Sequence, residues 1–245
     1  RIVKAAPGAA IDIVELDLAD IASVRAAAEG IETLDLLVNN AGIMWVPHAI
    51  GTGGAERHFA VNHLGHFALT ASLLPVLAKA KAPRVVTQSS LAHRPAIIDF
   101  DNLAGERDYG RQKFYGRSKL ANLVFALELN RRLRAASSPI ESLACHPGVA
   151  KTELARDAAG SWLYMPLVGL LLNSARHGAL PALQAATDPK ADGGDYFGPY
   201  GFMEAVGKTS GRAVATQTAH DPLIGARLWD VSVEMTGIDP GLAPA

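Results

Sequence analysis

The chain has almost no cysteine: a single one, Cys145, in 245 residues. A lone thiol excludes an intrachain disulfide and a cysteine-built zinc site, and it suits a reducing, cytoplasmic setting. Charge imbalance is missing too. Lys and Arg number 23 against 24 Asp and Glu, a formal net charge of -1. That balance asks for neither nucleic acid nor an anionic membrane surface as a partner. Long apolar runs are absent. The longest, Trp162 to Leu172, contains Pro166 and Gly169 and falls short of the roughly 20 residues that a bilayer span needs. No transmembrane span is expected, and the opening Arg1-Ile2-Val3-Lys4 does not read as a secretory signal. No GxSxG elbow occurs, which removes a hydrolase reading of Ser90 with His93. No TGxxxGxG phosphate loop occurs either. Gly51-Thr52-Gly53-Gly54 is glycine-rich but follows the wrong element, and reads as a flexible loop.

What is present is a compact globular composition, 49% hydrophobic and 19% charged, long enough for one large domain. Strand and helix patterns alternate. Ile11 to Leu18 alternates apolar and acidic residues and predicts an edge-like strand. Ile21 to Glu29 predicts a short helix, and Leu34 to Val38 a strand buried on both faces. A long helix is expected over Glu56 to Ala80, a strand over Arg84 to Ser89, a long amphipathic helix over Lys113 to Ala135 and a strand over Ile140 to Cys145. Beyond Thr152 the rhythm changes. Helices are expected over Ala175 to Ala186 and Asp221 to Met235, with a short strand at Asp195 to Phe197. Strands joined by helical crossovers imply an α/β fold, a Rossmann-like doubly wound parallel sheet with helices on both faces.

The strongest local feature is Tyr115-Gly116-Arg117-Ser118-Lys119. Residues four apart share a helix face, so Tyr115 and Lys119 point the same way. A phenol titrates near 10, and a neighbouring ammonium favours the phenolate, which makes the pair a candidate proton donor and acceptor. Alone, a Tyr and Lys four apart on a helix usually amount to surface packing. Leu37-Val38-Asn39-Asn40-Ala41-Gly42, Val85-Val86-Thr87-Gln88-Ser89-Ser90 and Cys145-His146-Pro147-Gly148 each end a predicted strand in polar or turn residues. The carboxyl ends of strands are where open α/β sheets bind ligands. His63 and His66 have a spacing that metal ligands can adopt, but no acidic or cysteine cluster accompanies them. They read as helix packing, with no metal site.

NNAG, a strand ending in SS, YxxxK and PG, in that order, resemble the short-chain dehydrogenase/reductase superfamily. The phrases Asn62-His63-Leu64-Gly65-His66-Phe67, Ser89-Ser90-Leu91-Ala92-His93 and Tyr115 to Asn122 resemble its branch of retinol dehydrogenases, WW-domain oxidoreductases and protochlorophyllide reductases. The resemblance is strong from Ile11 to Thr152 and weak thereafter. It implies one NAD(P)-binding domain over residues 1–245 that interconverts an alcohol and a carbonyl, with NADP slightly favoured over NAD. It implies Tyr115 as acid/base, Lys119 lowering its pKa and binding the nicotinamide ribose, Ser90 orienting the substrate oxygen, and Asn62 holding a relay water. It places Asp17 and Leu18 near the adenine, Asn39, Ala41 and Gly42 along the adenosine, and Pro147, Gly148, Val149 and Thr152 over the nicotinamide. Residues 153–175 correspond to a substrate lid. The greasy run Trp162 to Leu172 then suggests a lipophilic substrate, or else core or oligomer packing.

The resemblance also implies that the first two strands and first helix of the fold, roughly 40 residues by analogy, precede Arg1. Without them, the Ile11 to Leu18 strand is expected about 14 Å from its next neighbour, three spacings of about 4.8 Å. A non-catalytic dinucleotide-sensing or partner-binding protein is the alternative reading, and an inactive fragment a third. The joint presence of Asn62, Ser90, Tyr115 and Lys119 argues against a mere binding module.

Overall fold

The structure is a computed structural model that describes residues 2–149 and 173–244. Thr152 and the Trp162 to Leu172 run lie outside the described residues, as does nearly all of the expected lid. In chain order the elements are α1 (Ile2–Ala5), α2 (Ile21–Glu29), β1 (Leu36–Asn39), α3 (Arg57–Leu77), β2 (Arg84–Gln88), α4 (Arg111–Ala135) and β3 (Glu141–Cys145). After the undescribed segment come α5 (Ala175–Gly178), α6 (Leu180–Thr187), β4 (Tyr196–Tyr200), β5 (Thr209–Arg212), α7 (Gln217–His220) and α8 (Pro222–Thr236).

Among the described residues, five strands form one sheet in sequence order. β1 to β4 run parallel, and β5 returns antiparallel to β4. The predicted Rossmann-like α/β architecture follows from side-chain alternation. On β2, Val85 packs into one apolar cluster with α3 and α4, while its neighbour Val86 joins a second cluster with Ala185 of α6. Successive residues of a strand face opposite ways, so helices cover both faces and the strands read as unbroken apolar runs.

α3 is a single helix 21 residues long, and apolar enough to cross a membrane, but 78% of its apolar stretch is buried inside the protein. Its sequence supplies the reason. Phe59, Leu64, Phe67 and Leu74 meet the sheet and the neighbouring helices, and α8 closes over it through Trp229, whose ring lies 5.3 Å from Phe67. Asp221 caps α8 by accepting from the Leu223 N–H, and Pro222 opens its first turn, as expected from sequence.

Two expectations need correction. Ile11 to Leu18 forms no strand: the segment carries no ladder hydrogen bonds, and Ile13 is 95% exposed. Alternating apolar residues make a strand only where a neighbour supplies ladder partners, and among the described residues no strand lies beside the outer edge of β1. Gly51 to Gly54 is not an open loop. Residues 52–54 form one turn of 3-10 helix, with Gly53 at φ 66° pressed against Met235 of α8. The antiparallel β5, Thr-Ser-Gly-Arg, was invisible in the sequence because it carries no apolar residue.

Candidate active site

The carboxyl ends of β1 to β3 and the first half of α4 bring the motifs together. Ser90 follows β2 in extended backbone and caps the short turn Leu91–His93, its Oγ accepting from the Ala92 N–H at 3.2 Å. Its hydroxyl lies close enough to Tyr115 to favour the phenolate. Ser89 points the other way and donates to the Lys119 carbonyl at 2.7 Å. The two serines therefore divide: Ser89 anchors β2 to α4, and Ser90 meets the phenol. Gly116 lets these elements approach, since a Cβ there would sit 2.7 Å from the Ala92 carbonyl oxygen.

Lys119 is buried. Its Nζ donates to the Gln88 carbonyl at 3.2 Å and lies 5.9 Å from the Tyr115 ring centroid. Burial pulls its ammonium down from the ordinary 10.5 to about 8. Tyr115 moves opposite to the sequence expectation. Burial raises the phenol above its ordinary value, and the opposing influence is the nearby Ser90 hydroxyl. The physical reason is that the ammonium lies over the ring, while the low-dielectric surroundings penalise a phenolate.

Asn62 sits in the middle of a π-helical stretch, Ala60–Leu64, that interrupts α3. Such wide turns recur at functional sites. The side chain is a clamp: Oδ1 accepts from Ile43 N–H at 2.7 Å, and Nδ2 donates to the Ile43 carbonyl and to Ser118 Oγ, each at 2.9 Å. Its own carbonyl accepts from His66 Nδ1 at 2.8 Å. With these groups engaged, Asn62 braces the loop after β1 against α3 and α4. Gly42 lies directly above: a Cβ there would be 3.0 Å from Asn62 Oδ1 and 3.4 Å from Lys119 Nζ.

The other expected cofactor residues divide. Asn39 is buried and donates to Thr70 Oγ1 at 2.9 Å and Thr87 Oγ1 at 3.3 Å, tying the β1 end to α3 and β2. Ala41 continues the same strand-end loop beside Gly42. The Asp17 carboxylate accepts from Ala19 N–H at 2.8 Å on the surface. The Leu18 side chain is turned into the core. Pro147, Gly148 and Val149 follow β3. Gly148 takes φ 66°, and a Cβ there would overlap the Ala205 carbonyl oxygen. Val149 N–H donates to that same oxygen at 2.8 Å.

A nicotinamide cofactor fits part of this surface. The notch at Gly42, floored by Asn62 and Lys119, is open only because no side chain occupies it, and the Lys119 ammonium has donor hydrogens beyond the one given to Gln88. Lys119, Tyr115 and Gly42 would hold the ribose end. The glycine-rich pyrophosphate loop is not among the 245 residues.

Residues 2–160 match the short chain dehydrogenase family. The chain belongs to that family of NAD(P)-dependent oxidoreductases, in the branch that resembles retinol dehydrogenases. It is 37% identical to human (Homo sapiens) retinol dehydrogenase 14 over 91% of this chain and 66% of the relative. It is 40% identical to mouse (Mus musculus) retinol dehydrogenase 12, over 91% of this chain and 69% of that one. The chain thus spans about two thirds of the length of these relatives. A crystal structure of a protein from Mycobacterium Paratuberculosis is 41% identical, with a TM-score of 0.78, covering 93% of this chain and 76% of that chain.

Sequence reasoning missed a second polar layer behind Ser90. His93 donates from Nδ1 to the Ser90 carbonyl at 2.7 Å. His146, fully buried, accepts from Gly148 N–H at Nδ1, 3.1 Å, and faces Glu204 Oε2 at 3.3 Å with Nε2. The phrases SSLAH and CHPG contained these histidines, but nothing in their spacing linked them to Glu204.

Proposed function

We propose that this chain interconverts a lipophilic alcohol and its carbonyl compound with NAD or NADP, with Tyr115 passing the proton. The observation that carries this reading is the convergence at the strand ends of Tyr115, the Lys119 ammonium 5.9 Å from its ring and the nearby Ser90 hydroxyl. A bound nicotinamide supplies or accepts the hydride. A phenol raised by burial stays protonated at neutral pH and is poised to donate to a carbonyl oxygen. The Ser90 hydroxyl, already directed at Tyr115, supplies a second donor to that oxygen as negative charge develops. Lys119, buried and charged below about pH 8, orients the ribose. The lipophilic class is supported by relatives named for retinol and by Phe202 and Met203, 76% and 67% exposed in the turn that meets Gly148 and Val149.

The test is cofactor oxidation with a panel of retinoid and long-chain aldehydes, using NADH and NADPH in parallel. Tyr115→Phe is expected to lower kcat by at least about 100-fold, the contribution typical of a general acid. Equal rates in wild type and variant would exclude the mechanism, and no turnover in either would favour the non-catalytic alternative.

A further inference from the structure

Behind Ser90, the turn 201–207 joins two loops that the reaction must hold in register. Met203 and Glu204 are consecutive non-glycine residues in left-handed backbone, φ 52° and 58°. Such conformations persist only where surrounding contacts over-determine them, and they gather at functional sites. Here the contacts are specific. Glu204 Oε2 accepts from Arg94 Nη2 at 2.8 Å and faces His146 Nε2 at 3.3 Å, while Oε1 accepts from Val214 N–H at 3.1 Å. Arg94 Nη1 also reaches the Met203 carbonyl at 3.4 Å. The next residue, Ala205, offers its carbonyl to Val149 N–H at 2.8 Å and to Asn173 Nδ2 at 3.2 Å.

Each partner leads to the site. Arg94 is adjacent to His93, which holds the Ser90 carbonyl. His146 receives the Gly148 N–H, so its remaining proton belongs on Nε2, directed at Glu204. Gly198 makes room for that ring, since a Cβ there would overlap Nε2. One carboxylate thus bridges the serine loop and the Pro147–Val149 loop, which leave different strands and, among the described residues, share no direct hydrogen bond.

We propose that Glu204 is a positioning residue that sets the Ser90 hydroxyl and the Pro147–Val149 loop in mutual register through Arg94 and His146. The inference rests on the oxidoreductase reading for its kinetic consequence, and on the bonds above for its existence. A misplacement of about 1 Å far from the chemistry can lower a rate by about 100-fold. Removing the bridge therefore acts on kcat, with substrate and cofactor KM little changed.

The experiment uses the full-length protein, with Glu204→Ala, Arg94→Ala, the double variant and the conservative Glu204→Gln. Glu204→Ala and Arg94→Ala are each expected to reduce kcat about 10-fold or more. The double variant should be no worse than the poorer single, because both break one bridge. Glu204→Gln, which keeps acceptor and size, should recover most of the rate. Amide hydrogen exchange gives an activity-independent readout: in Glu204→Ala or Arg94→Ala, exchange at Ala92 and Val149 should quicken together, and in Glu204→Gln it should stay near wild type. A lowered melting temperature with unchanged kcat, a double variant that loses the product of the single effects, or faster exchange at Val149 alone would each overturn the proposal. If wild type turns over no aldehyde, the functional reading fails, and the exchange result alone decides the coupling. Where Glu204→Ala does not fold, Arg94→Ala carries the same outcomes.

Discussion

At the scale of single residues, Lys119 shows stability and function opposed. A buried ammonium lowered from 10.5 to about 8 corresponds to a penalty of roughly 3 kcal/mol at neutral pH. The sign follows from proton counting. Between pH 8 and 10.5 the unfolded chain holds the proton that the folded chain has released, so the penalty is full below pH 8 and fades as pH rises. We expect Lys119→Met to be inactive yet more stable than wild type at pH 7, by about 1–3 kcal/mol after relaxation. That advantage should shrink at pH 10. Gln88 O keeps Asn122 Nδ2 as a donor at 3.1 Å, so no carbonyl is orphaned. Urea melts at the two pH values check this, and an advantage that grows with pH would refute it. With NAD(P)H supplied, the wild-type kcat/KM for cofactor in carbonyl reduction, which reports the free enzyme, should fall above about pH 8 as Lys119 loses its charge, a limb that Lys119→Arg should move upward. The motif residues themselves were legible as residue types. Their roles were less so: that Ser90 and not Lys119 opposes the rise in Tyr115 depends on where the ammonium lies relative to the ring.

At the scale of elements, close approach governs. Gly65 lies on α3 where a Cβ would overlap the Leu18 carbonyl oxygen. Backbone cannot swing aside as a long side chain can. Gly65→Ala should therefore destabilise by about 1–3 kcal/mol through overpacking, despite Ala's better helix propensity. Equal urea midpoints would contradict this. Helix α3 was expected from its apolar periodicity, and its extent was nearly right. Its π-helical stretch around Asn62 was not visible, since one inserted residue in a helical turn leaves no mark on an apolar pattern. Strand β5 was missed for a related reason: it pairs through backbone groups alone.

For the whole molecule, burial of histidines sets the acid limit. His63 and His146 are held down to about 3 and His66 to about 4, chiefly by desolvation. These bases bind protons in the unfolded chain from pH 6.5 downward but resist them when folded. Their contribution is complete above pH 6.5 and is lost as pH falls toward 3, at up to about 1.4 kcal/mol per histidine per pH unit. Unfolding free energy should drop by several kcal/mol between pH 7 and 5, and a flat profile in that range would count against the burial described. The sequence by itself determined the order of the elements, the parallel sheet and the family, because periodicity and the motifs NNAG, SS, YxxxK and PG are local properties of the chain. Only the tertiary structure decided which polar groups meet. Ile11 to Leu18 has strand-like alternation and remains unpaired, because a ladder needs a neighbour. Tyr115 and Lys119 are neighbours on one helix, yet burial, opposed by the nearby Ser90 on another element, sets the direction of the phenol's shift. Glu204, Arg94 and His146 lie far apart in the chain and share one carboxylate, a juxtaposition that no spacing rule encodes because it arises from the stacking of β2, β3 and β4.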